Sequence, residues 1–180
     1  VSTAGKYVQM FEKKISKYMG VKYAVSVTSC TAGLHVAMIA AKLKPGDIMV
    51  TSPITFVSTA NSALFTGCDI AFADIDKESI NISIKSLKAL SDKFDKKIRA
   101  IVPVHFGGAP CEMEEIKKVS DNINAKVIED AAHALGSRYK NGKRIGCCEN
   151  SSMTVFSFHP VKAIATGEGG IITTNDREIY

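Results

Sequence analysis

The sequence predicts an α/β domain built on a mostly parallel central sheet. Three observations lead there. Short apolar runs with strand character alternate with amphipathic helical stretches along most of the chain, turn residues punctuate them, and 46% of the 180 residues are hydrophobic, enough to bury a substantial core.

The elements follow in order. Residues 1–20 read as an N-terminal helix, because Tyr7, Val8, Phe11, Ile15 and Tyr18 recur at helical spacing between Gly5 and Met19. "YAVSV" then changes the period to that of a strand, and "TSCTAGLHVAMIAAKL" is a helix preceded by hydroxyl residues able to cap it. "KPGD" ends that helix. "IMVTSP" is the next strand, "FVSTANSALFTG" a helix closed by glycine, "DIAFADID" a strand and "SIKSLKALSDKF" a helix. "IRAIVPV", "MEEIKKVSDNI" and "AKVIED" continue as strand, helix and strand. In the last third, "GSRYKNGKRIG", "SSMTVFSF" and "GGIITTND" read as shorter strands joined by turns, and no repeat or low-complexity linker interrupts the chain.

Composition narrows the function classes. The net charge is +5, but the lysines of "EKKISK", "SDKFDKK" and "EEIKK" are interleaved with carboxylates, as on solvated helix faces and unlike a nucleic-acid-binding stripe. No apolar run approaches the roughly 18 residues of a membrane span, and "VSTAGKYVQMFEKKISKYMG" lacks the apolar centre of a signal peptide. The five cysteines are scattered, with Cys147 and Cys148 adjacent and no CxxC, which predicts a reduced, cytoplasmic protein. His35, His105, His133 and His159 lie far apart and none stands at ligand spacing from a cysteine, so no metal site is expected.

In an open α/β sheet ligands bind beyond the carboxyl ends of the strands, and four such ends carry candidate chemistry. At "VTSCTAG", residues Ser29, Cys30, Thr31 and Ala32 offer backbone N–H groups at the positive end of a helix, an anion site or else simple capping by Ser29 or Thr31. At "KVIEDAAHALGS", neighbouring Glu129 and Asp130 must face opposite sides of the strand, so they cannot form a paired-carboxylate site. One of them ends the strand before the small residues Ala131 and Ala132, where it serves either a flat ligand or a salt bridge to a lysine. Phe56 opens a helix after "SPIT" and is either a stacking face for a planar ring or part of the core. Ser157 ends "MTVFSF", and Lys162 follows in a loop kept from helix by Pro160 and by Gly167, Gly169 and Gly170. Neither GxxxxGK[ST] nor GxGxxG is present, so the loop is not a nucleotide-phosphate fingerprint. A lysine there can act as an amine nucleophile toward a carbonyl. An anion site, a carboxylate, an aromatic face and a nucleophilic lysine are together what pyridoxal phosphate requires.

"VSVTSCTAGLHVA", "SPITFVSTANSALFTG", "FADID", "IVPVHFGGAP", "VIEDAAHALGSRYKNGKRIG" and "FSFHPVKAIATGEGGIITTND", in this order and spacing, resemble the DegT/DnrJ/StrS family of pyridoxal-phosphate-dependent sugar aminotransferases. The resemblance covers nearly the whole chain from Val21 onward. It implies the large domain of a fold-type-I, aspartate-aminotransferase-like protein over residues 21–180, incomplete and without its C-terminal small domain. It further implies that Lys162 is the Schiff-base lysine and that Asp130 pairs with the pyridine nitrogen. By the same resemblance Phe56 stacks on the ring, Ser157 with the Thr31 and Ala32 amides holds the phosphate, and His133 lies near the ring oxygen where the family often has glutamine. Cys30 stands where a glycine or another small residue is usual and makes the cradle tighter.

Family members that deoxygenate sugars carry histidine in place of the lysine, so Lys162 implies transamination. "MTVFSFHPVK", "TGEGG" and "HALGS" are similar to enzymes of pseudaminic acid biosynthesis, which aminate C4 of a UDP-linked 4-keto-6-deoxy-N-acetylhexosamine with L-glutamate. Perosamine-type and other nucleotide-sugar aminotransferases share most of these motifs, and a non-catalytic regulatory protein on the same fold is the alternative from another class. The resemblance also implies a homodimer in which a neighbouring subunit completes each site, and hence that these 180 residues alone are not a competent enzyme.

Overall fold

The computed structural model describes residues 5–180. The elements run α1 (Lys6–Met19), β1 (Tyr23–Val27), α2 (Cys30–Ala40), β2 (Ile48–Thr51), α3 (Val57–Leu64), β3 (Asp69–Phe72), α4 (Ile84–Phe94), β4 (Ile98–Val102), α5 (Met113–Ile123), β5 (Lys126–Asp130), β6 (Met153–Ser157) and β7 (Gly170–Thr174). Short 3-10 turns occur at Asp95–Lys97 and Phe106–Gly108.

All seven strands join one sheet in the order β1-β7-β6-β5-β4-β2-β3. Only β7 runs against the rest, antiparallel to both of its neighbours. The pairs β2–β3, β2–β4, β4–β5 and β5–β6 are parallel, so the predicted α/β class and its mostly parallel sheet are what the structure contains. Every residue of β2, β6 and β7 is buried, as expected of strands covered on both faces.

Three apolar clusters fill the layers. One seats Leu34, Ala37 and Met38 of α2 on Met153, Val155 and Ile172 of the sheet. Another joins Leu87 of α4 and Met113, Ile116 and Val119 of α5 to Val50, Ile98 and Ile101. The third brings α1 against Phe156, Phe158 and Ile171 through Met19, Phe11 and Ile15. The stripe of α1 is therefore narrower than its sequence suggests: Tyr7 is 82% exposed and Tyr18 lies largely in solvent, with Arg144 over its ring. The helix ends where Gly20 takes the left-handed conformation and Val21 N–H closes onto the Ser16 carbonyl.

One expected strand is absent as such. "GSRYKNGKRIG" forms a tight turn with a single bridge between Arg138 and Arg144: Gly142 N–H closes on the Tyr139 carbonyl and Tyr139 N–H on the Lys143 carbonyl, both at 2.9 Å, so its two short arms bond each other and neither joins the sheet. β3 likewise stops at Phe72, after which Ile75 makes only an isolated bridge to Ile82.

Leu34 is fully buried where α2 meets the sheet. Leu34→Ala should lower stability by about 2–5 kcal/mol, measured as a lower urea midpoint with an unchanged slope.

Candidate active site

The strand directions bring the carboxyl ends of β1 to β6 to one edge of the sheet, those of β2, β4, β5 and β6 next to one another around its middle. The reversed β7 places its first residue there as well, since Val27 and Ser157 both stand opposite Gly170. A cavity of about 400 Å³ opens over this edge, with Cys30, Phe56, His105, Asp130, Ser157 and Lys162 in its lining.

The α2 terminus forms one wall. Ser29 is the extended cap residue, and its hydroxyl accepts the Ala32 N–H at 3.1 Å. The Gly33 N–H bonds the Ser29 carbonyl at 2.9 Å. The amides of Cys30 and Thr31 precede any carbonyl of the helix and remain for a ligand at its positive end. Ser29 thus caps the helix, and Ala32, whose amide is taken and which does not line the cavity, stands apart from the other predicted residues. Gly170 makes the wall possible: a Cβ there would lie 2.7 Å from the Ser29 carbonyl carbon and 2.8 Å from the Cys30 nitrogen. The same rung sets the Ser157 hydroxyl beside this terminus. Burial, reinforced by the Asp130 charge and opposed by Lys162, pushes the Cys30 thiol well above its usual range, so it stays protonated and is no nucleophile.

Asp130, 3% exposed, forms the floor. Its Oδ2 accepts the Thr59 hydroxyl at 2.6 Å and its Oδ1 the Ala132 N–H at 3.1 Å. The Thr59 proton is committed to Asp130, so Thr55, whose Oγ1 is 2.7 Å from that of Thr59, donates to it. No lysine pairs with the carboxylate among the described residues, which removes the salt-bridge alternative. The core alternative for Phe56 falls too: it caps α3 with its ring 73% exposed at the cavity wall.

Lys162 lies in the β6–β7 connection, which is pinned at its base by Phe158 N–H to the Gly169 carbonyl (2.9 Å) and by Thr166 N–H to the Phe158 carbonyl (3.0 Å). Its ammonium donates to His133 Nε2 at 2.7 Å, which fixes that ring as the tautomer protonated on Nδ1. Partial burial, then the Lys162 charge, hold His133 below its ordinary pKa, with Asp130 opposing. The lysine, carboxylate, aromatic face, helix terminus and Ser157 therefore meet in one place. Sequence reasoning missed Thr59, Thr55 and the cavity-lining His105. The hydroxyl one turn into α3 was the only available sign of the first.

A mostly parallel sheet whose strand ends gather a lysine and a carboxylate is the large-domain architecture of pyridoxal-phosphate-dependent transferases. The chain belongs to the DegT/DnrJ/EryC1/StrS aminotransferase family, whose profile matches residues 1–180. It is 46% identical over 175 residues (97% of this chain, 43% of the relative) to the spore coat polysaccharide biosynthesis protein SpsC of Bacillus subtilis. It is 43% identical over 179 residues (99% of this chain, 46% of the relative) to a UDP-4-amino-4,6-dideoxy-N-acetyl-beta-L-altrosamine transaminase of Campylobacter jejuni. An aminotransferase of Psychrobacter cryohalolentis superposes with a TM-score of 0.91 at 34% identity, over 97% of this chain and 43% of that one. The chain thus spans less than half the length of these relatives.

Because His133 takes up its proton less readily folded than unfolded, its contribution to stability is lost as pH falls below about 6.5 and levels off beneath its folded midpoint. Proton NMR titration should place that midpoint below 6.5, and Lys162→Ala should move it upward without restoring the ordinary value, because burial remains.

Proposed function

We propose that the protein is a pyridoxal-phosphate-dependent aminotransferase acting on a nucleotide sugar. It transfers the amino group of L-glutamate to the C4 keto group of a UDP-linked 4-keto-6-deoxy-N-acetylhexosamine, in the cytoplasmic synthesis of a sugar for a cell-surface polysaccharide or flagellin glycan. The observation that carries the reading is Lys162, held by His133 in the cavity that Asp130 floors. The choice of sugar is supported by the likeness to the Campylobacter transaminase.

The cavity suits the cofactor. The Cys30 and Thr31 amides and the Ser157 hydroxyl are donors for a phosphate at a helix N-terminus. The exposed face of Phe56 can stack on a ring. Each Asp130 oxygen accepts only one hydrogen bond and keeps a lone pair for a protonated ring nitrogen. When bound, pyridoxal phosphate supplies an electron sink for the amino-bearing carbon.

The residues divide the remaining work. Lys162 would hold the cofactor covalently through its Nζ, and the same amine would move the proton at the α-carbon of the amino donor. His133, kept neutral, accepts a hydrogen bond from the lysine and orients its amine. Asp130 holds a proton at the ring nitrogen, and the Thr55–Thr59 hydroxyls keep its carboxylate turned to the cavity. Among the described residues no helix is long and apolar enough to cross a membrane. Two of the residues lining the cavity, Val161 and Phe56, are apolar and largely exposed, which supports a homodimer closing over it.

The full-length protein, purified with pyridoxal phosphate, should show a visible absorbance band and a borohydride-reducible link to Lys162, and L-glutamate should discharge the band. Lys162→Ala should abolish the link and turnover. If that variant still formed a reducible link, another lysine would carry the role. Asp130→Asn should bind cofactor yet turn over about 100-fold more slowly, close to 3 kcal/mol in the barrier. Near-normal rates would exclude Asp130 from its part.

A further inference from the structure

We propose that Glu129 and His105 form a buried clamp that positions Asp130, an inference that rests on Asp130 being the carboxylate that faces the cofactor's ring nitrogen. Glu129 is 1% exposed and lies on the face of β5 opposite the one that presents Asp130. Four side chains from separate segments converge on it: His105 Nε2 at 2.7 Å, Thr154 at 2.7 Å, and the hydroxyls of Tyr139 and Ser151. Burial works against its charge. The hydrogen bonds from His105, Ser151 and Tyr139 outweigh this and hold the carboxyl below its usual range, so it is ionised.

A core that needed only filling would be served as well by an apolar side chain, because a buried charge is costly even when paired. What the charged cluster adds is a fixed position for the segment that follows β4. The His105 ring is held from both sides, Nδ1 accepting the Cys111 N–H at 3.1 Å and Nε2 meeting Glu129. Burial opposes a charged ring, while Cys111 and Glu129 raise its pKa. A second proton, however, would displace the Cys111 amide from Nδ1, so the working state is the neutral ring donating Nε2–H to the carboxylate.

His105 then bonds both neighbours on β5. Its side chain takes Glu129, and its backbone N–H donates to the Asp130 carbonyl at 3.0 Å. The Asp130 N–H returns to the Pro103 carbonyl at 2.9 Å. The same segment abuts the lysine's partner, for at Gly108 (φ +86°) a Cβ would lie 2.9 Å from the His133 carbonyl oxygen. A shift of His105 is therefore transmitted to the main chain of Asp130. Of the four side chains that bond Glu129, only His105 lines the cavity, and Glu129 acts as a positioning residue through it.

The test is Glu129→Gln, which keeps the shape and removes the charge. It is read by the 15N chemical shift of ring-labelled pyridoxal phosphate bound to the protein, beside glutamate kinetics and thermal melting. The shift should move toward the unprotonated ring nitrogen, and kcat should fall about 10- to 100-fold with KM for glutamate little changed, the scale of a small misplacement of a reacting group. A protein that keeps both the wild-type shift and kcat overturns the clamp, even if its melting point drops. Asp130→Asn is measured in parallel. If it leaves the shift unmoved, or the wild type takes up no pyridoxal phosphate, the reading of Asp130 fails and the clamp with it. Should Glu129→Gln not fold, Tyr139→Phe removes one of the four donors from a half-buried residue: a smaller shift in the same direction supports the clamp, and an unmoved one overturns it.

Discussion

A β-strand sends successive side chains to opposite faces, and at the end of β5 this rule holds two carboxylates apart. Glu129 goes to the side where four donors await it, and Asp130 to the cavity, where among the described residues its carboxylate is bonded by Thr59 and the Ala132 amide. Neither could be tolerated in the other's place. A carboxylate on the inner face without His105 and the hydroxyls would be an uncompensated buried charge, and one on the cavity side with four donors would have no capacity left for a ligand. The register of β5 is thereby fixed by electrostatics as well as by hydrophobic pattern, since a slip of one residue exchanges the two environments.

The parallel sheet ensures that this distinction falls at a useful place. Strands that run the same way end at the same edge, and the residues that close β1, β2, β4, β5 and β6 become neighbours although they are scattered in sequence. β7 is the exception that completes the arrangement. By running backwards it starts at that same edge, where the Lys162 loop ends, and Gly170, its first residue, allows it to pass within contact of the α2 terminus.

This is why much of the site was legible in the sequence. Strand ends can be located from period changes, and small, hydroxyl or charged residues just beyond them are visible in one dimension: Ser29, Phe56, Asp130, Ser157 and Lys162 all announce themselves this way. The family resemblance then sorted Asp130 from Glu129, which spacing alone left open. The remainder depends on three-dimensional pairing. Thr59 reaches Asp130 from a different element, and His105 reaches Glu129 from the segment after the neighbouring strand β4, so no local pattern marks either. The Ala32 amide looked available because a string of residues does not say which amide its cap will take. The segment Arg138–Arg144 reads as a strand in sequence, but its two arms close on each other after one bridge and find no neighbour in the sheet, which composition does not reveal.

The cavity lining spans the sequence from Ser29, after the first strand, to Gly169, before the last. A molecule that fills it touches the N-terminal strand–helix unit and the C-terminal pair of strands at once, and so acts as a noncovalent cross-link between segments far apart in the chain. Occupancy is then coupled to the whole fold, because the unfolded chain has no such set of contacts to offer. At a free ligand concentration 100 times its dissociation constant the linkage adds about 2.7 kcal/mol to unfolding, a sizeable part of the few kcal/mol by which a domain is ordinarily stable. The supply of that ligand in the cell would thus set how long the folded protein survives proteolysis as well as how fast it works.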